Sequence, residues 1–130
     1  MKDDTVAPVA PEAERRKVIL VVGAGDATGS AIARRFAREG YVACLARRSA
    51  EKLQPLVDQI RAAGGEAEGF ATDARKEDEV ARLVETIEAE IGAIEVFVFN
   101  IDANVPCGIL DETARKFFKV WEMACFAGFL

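Results

Sequence analysis

Apolar positions along the chain follow two periods that take turns. Val18–Val22 is apolar at every position, which predicts a strand over Lys17–Val22 buried on both faces of a parallel sheet. Ile32, Ala33, Phe36 and Ala37 then recur at helical spacing, with Arg34 and Arg35 on another face. They predict a helix over Thr28–Glu39, stopped by Gly40. Tyr41–Ala46 reads as a second strand. Leu53, Leu56, Val57 and Ile60 mark one face of a helix running from Ser49, a candidate N-cap, to Ala63. Pro55 lies inside that span and is expected to weaken or bend its first turns. Glu66–Thr72 is a weaker strand, interrupted by Gly69. Lys76–Ile91 carries the clearest helical stripe, Val80, Leu83, Val84, Ile87 and Ile91, with three acids in the first turn where the helix dipole favours them. Ile94–Asn100 is a fourth strand, followed by a loop through Ile109. From Glu112 to Leu130 the pattern is helical again, in one piece or two. Its second part is apolar nearly all round, which predicts burial on more than one face.

Strand and helix alternate throughout, which argues the α/β class: a parallel sheet with right-handed crossovers and helices on both faces. The expected strand order is 3-2-1-4, which puts the end of the first strand at a topological switch point, where ligands bind. Residues 17–130 read as one unit. Residues 1–16, with alanine, proline and charge but no period, read as a flexible leader.

Composition narrows the chemistry. Seventeen basic and twenty-two acidic residues leave a net charge of −5 and no basic stripe, which gives no support for a nucleic-acid surface. The absence of histidine removes imidazole metal sites and histidine general bases. Cys44, Cys107 and Cys125 stand far apart, without zinc spacing. Cys44 and Cys125 read as core residues, and unpaired thiols fit a reducing cytoplasm. No metal site, secretory signal or apolar run of membrane-spanning length is legible.

The candidate chemistry begins at Gly23, Gly25 and Gly29, between the first strand and its helix. Strand, glycine turn and helix start are the context a phosphate cradle requires, the other reading being glycines that end a strand for purely structural reasons: in a cradle, glycines admit a ligand close to backbone N–H groups, and the helix start adds donors and a positive dipole end. From Gly25 the spacing is Gly-x-x-x-Gly-x-Ala, with Thr28 just before Gly29 and Ala31 closing the motif. This resembles the glycine turn of the short-chain dehydrogenase/reductase family. The resemblance covers Lys17–Leu130 and only the cofactor-binding half of a family member. It implies a Rossmann-like domain, ended here after the fourth strand and its helix.

At the end of the second strand the chain has Ala46, Arg47 and Arg48 where an acid would select NAD. The two arginines are either solvated or placed for the 2′-phosphate of NADP, and the resemblance favours NADP over NAD. Asp26, inside the turn where NADP-binding relatives often carry a basic residue, argues mildly the other way. Asp73 resembles the family's adenine-contacting aspartate; its other reading is a turn acid before the next helix. Asn100-Ile101-Asp102 stands where the family has Asn-Ala-Gly, and Asp102 is expected to oppose an anionic cofactor. Ala124 takes the place of an asparagine that supports proton relay. The family's catalytic serine and Tyr-x-x-x-Lys pair have no counterpart, so no catalytic residue is assigned. The resemblance also implies a homo-oligomer through Phe117–Leu130. Two readings follow: the NAD(P)-binding part of such an oxidoreductase, inactive as these 130 residues, or a non-catalytic nucleotide-binding or partner-binding module. A receiver-like domain would need acids where Gly23–Gly25 stand.

Overall fold

The structure is a computed structural model that describes residues 15–25 and 27–130. Residues 1–14 of the expected leader lie outside the described residues, and so does Asp26. Arg15 and Arg16 pair with Glu88 and Glu66.

Four strands, β1 (Lys17–Val22), β2 (Val42–Arg47), β3 (Glu66–Ala71) and β4 (Ala93–Phe99), form one parallel sheet in the order β3-β2-β1-β4. The expected order is thus the one found. β1 is central because it is apolar on both faces, and Val18, Ile19 and Val21 are fully buried. Its register aligns Val22 with Ala46 of β2 and Phe99 of β4, so these three strands end level with one another.

The two faces build two core layers. Ile19, Val21, Ala43 and Leu45 pack under α1 (Thr28–Arg38) and α2 (Gln54–Ala62), which contribute Ala33, Leu56, Val57 and Ile60. Val18, Leu20, Cys44 and Ala46 pack under α3 (Glu77–Glu90), through Leu83 and Ile87. Helices therefore cover both faces, as the alternation requires. Burial pushes the Cys44 thiol up to about 12, so this cysteine packs and does not react.

Three local expectations are corrected. Ser49 makes no side-chain cap; it precedes a single 3-10 turn over Ala50–Lys52. The helix proper begins at Gln54, so Pro55 falls in its first turn, where an intrahelical N–H is not required. Gly69 does not interrupt β3, which pairs with β2 from Glu66 to Ala71. A Cβ there would stand 3.3 Å from the Leu53 Cβ, so the glycine makes room for that buried leucine.

The largest difference concerns the last helix. α4 (Ala114–Trp121) continues through a π turn, Glu122–Phe126, into the short α5 (Ala127–Phe129). It docks through its end, where Ala127 is buried and the Phe99 ring packs against Gly128. Phe117 stays 64 % exposed and Phe129 82 %, and Cys125 is exposed where core packing was expected. The reason is geometric: β4 ends the sheet on this side, and among the described residues no further strand or helix covers the remaining apolar faces. Phe118, Trp121, Phe126 and Phe129 form a ladder of rings along the helix, with successive centroids 5.8, 5.5 and 6.2 Å apart. Among the described residues no helix is long and apolar enough to cross a membrane.

Candidate cofactor-binding site

A cavity of about 240 Å³ opens beyond the carboxyl ends of the strands. Its floor is the crossover point between β1 and β4. There Asn100 N donates to Val22 O at 2.8 Å, and Asn100 Nδ2 donates to Gly23 O at 3.1 Å. Gly23 also donates its N–H to Ala46 O at 2.9 Å, so the turn is tied to strands on both sides.

The three glycines have different tasks. Gly23 has φ +86°, and a Cβ on it would come within 2.5 Å of Asn100 O. A Cβ on Gly29 would stand 2.8 Å from Gly23 O. Both positions are closed by the protein's own backbone. Gly25 differs: it lines the cavity, and the nearest atom to its Cβ position is 4.0 Å away. The chain leaves this space open, as a cradle for a ligand's phosphates requires. α1 starts beside the turn, and its N-cap, Ala27, has no side-chain acceptor to compete for the first-turn donors.

Of the residues singled out from the sequence, Gly23, Gly25, Arg47, Arg48, Asp73 and Asn100 line this one cavity. Gly29 lies buried behind the turn, and Thr28 is exposed in the first turn of α1. Arg47 is half-buried and Arg48 exposed at the end of β2. Asp102 also lines the cavity.

Sequence reasoning missed Arg75 and Met123, both of which line the cavity. Arg75 holds the Asp73 carboxylate from two points, Nε to Oδ1 at 2.9 Å and Nη2 to Oδ2 at 2.7 Å. Its backbone N also donates to Oδ1, at 3.2 Å. The Arg75 hydrogen bonds lower the Asp73 pKa to about 2. A signal for this pair existed: an aspartate bonding the backbone two residues on is a turn motif, and here residue 75 is an arginine. Met123 arrives through the π turn, which no residue pattern announced. Among the described residues no group of three or more His, Cys, Asp or Glu is placed to hold a metal ion.

The arrangement suits a nucleotide: a glycine turn with free space beside Gly25 just before a helix, arginines at the end of β2, and a fixed carboxylate after β3. The sequence model described as short chain dehydrogenase matches residues 17–130. The chain belongs to the short-chain dehydrogenase/reductase family. Among curated relatives, a short chain dehydrogenase of Pseudocercospora fijiensis is 37 % identical over 100 residues, which are 73 % of this chain and 32 % of that one. A solved short-chain dehydrogenase from Rhodopseudomonas palustris superposes with TM-score 0.79 at 48 % identity, covering 88 % of this chain and 54 % of that one. A metagenomic short-chain oxidoreductase in complex with NADP gives TM-score 0.80 at 28 % identity, covering 88 % and 52 %. This member of the family thus spans about a third of the curated relative and about half of the solved chains.

The glycine geometry gives a sharp contrast. Gly23→Ala is expected to destabilise the fold by roughly 1–3 kcal/mol from its backbone angle alone, before any clash with Asn100. Gly25→Ala is expected to leave the thermal midpoint unchanged. Equal thermal midpoints for the two variants would contradict this division of labour.

Proposed function

We propose that this chain is the cofactor-binding portion of an NADP(H)-dependent short-chain oxidoreductase, and that these residues alone do not turn over a carbonyl or alcohol. The observation that carries the reading is the cavity's rim. It brings Gly25, Arg47, Arg48, Asp73 and Asn100 together at the β1/β4 switch point. The Gly23–Gly25 backbone and the α1 start, with Thr28 and Gly29, would hold the diphosphate. Arg47 and Arg48 would meet the 2′-phosphate, and Asp73 the adenine. Asn100 would keep the β1 turn in place from below. When bound, the nicotinamide supplies hydride transfer. Binding of NADP by the metagenomic relative supports the cofactor class.

Proton donation is the missing half. General-acid assistance is typically worth about 10²–10⁴-fold. The sole tyrosine, Tyr41, precedes β2 at the amino ends of the strands, opposite the cavity, where its hydroxyl donates to Glu95 at 3.3 Å. The free thiols of Cys44, Cys107 and Cys125 support a cytoplasmic setting. The second reading, a partner-binding module, is favoured by one observation, the exposed aromatic ladder of α4 and α5. In the oxidoreductase reading the same surface, Phe117–Leu130, joins two copies of the chain.

Four measurements test this. NADPH should bind roughly tenfold or more tighter than NADH, and Arg47→Asp should erase the difference; equal affinities in the parent chain would sink the assignment. Asp102→Gly should tighten NADPH binding, more so at low salt, where screening is weaker; unchanged affinity would show that its carboxylate plays no part. The purified chain should give no NADPH-dependent reduction across a panel of carbonyl compounds, and turnover abolished by Gly25→Val would refute that. Light scattering at tens of micromolar, the range where exposed apolar surface drives association, should show a dimer or larger species; a monodisperse monomer would count against the shared surface.

A further inference from the structure

The Asp73–Arg75 pair offers more than an ion pair on the surface. Its carboxylate is 17 % exposed and its guanidinium 32 %, and both residues line the cavity. A carboxylate has about four acceptor directions, two on each oxygen. Arg75 Nε and the Arg75 backbone N both donate to Oδ1, and Nη2 donates to Oδ2. Three directions are thereby used, and the fourth, on Oδ2, is the one a ligand's N–H can take. The pair is also locally neutral, so the acid adds little repulsion toward an anionic ligand. Ala74 and Ile101 line the same cavity and offer apolar surface for a planar ring.

We propose that Arg75 is a positioning residue for base selection. It clamps Asp73 as a fixed acceptor with one open direction, so that the site favours a ring bearing an amino group over one bearing a carbonyl at the same place. The inference rests on the cofactor reading above and deepens it. Without the clamp only the backbone N–H of residue 75 still holds Oδ1, and Oδ2 can turn to solvent as readily as to the base.

The test compares NADPH with its hypoxanthine analogue, in which the adenine amino group is replaced by a carbonyl. Affinities for both are measured by fluorescence titration with the parent chain, Arg75→Ala and Arg75→Lys. The parent should prefer NADPH by roughly tenfold or more, the worth of a hydrogen bond to a charged acceptor. In Arg75→Ala the two affinities should fall within about threefold of each other. Arg75→Lys keeps the charge without the two-point hold and should also lose most of the preference; it carries the test if the alanine variant fails to fold. A merely structural role would weaken both ligands alike, so a preserved ratio overturns the proposal while leaving the cofactor reading intact. A parent chain with no preference between the two ligands does the same. A parent chain that binds neither overturns both.

Discussion

Where β1 and β4 end, two backbones run so close that no side chain fits between them. The left-handed turn at Gly23 and the Asn100 amide that donates to Gly23 O are two halves of one contact. Gly29 is drawn in because the helix that follows must start against the same carbonyl. From this contact the rest of the site follows. β1 and β4 are held level, α1 starts directly after the turn, and the ends of β2 and β3 bring charged groups to the rim. The constraint is steric, and it leaves Gly25 as the residue whose empty flank faces the ligand space.

How much of this was legible depended on whether the deciding force was local. β1 announced itself because each of its central residues is apolar, and a strand buried on both faces needs that. α3 did the same through its stripe. The expected strand order rests on placing the end of β1 at a topological switch point, and the sheet has that order. The misreadings came where tertiary contact overrode local preference. Gly69 reads as a strand breaker, yet it sits in a paired strand because Leu53 needs its space. Pro55 reads as a bend, yet the helix starts late enough to use it.

At the site, backbone-defined features were readable and side-chain geometry was not. Gly23, Gly25, Arg47, Arg48, Asp73 and Asn100 meet at one cavity because each stands at or just beyond the end of a strand. Arg75 escaped notice because its importance lies in a hydrogen-bond fork that no apolar period records. The C-terminal helix was read as buried because its composition demands a cover. The described residues supply none: β4 is an edge strand with Phe97 54 % exposed, and the aromatic ladder beyond it is largely exposed. Such contiguous apolar surface is uncommon on a lone domain.

The proposed dinucleotide site is the cavity at the β1/β4 crossover. Amide chemical-shift mapping by NMR during NADPH titration tests it most directly. The account predicts the largest shifts at Gly23, Ala24, Gly25, Arg47, Ala74 and Asn100, with Gly64 and Gly65 at the far ends of α2 and β3 unmoved. Shifts centred on another face of the sheet, or none at saturating NADPH, would contradict it.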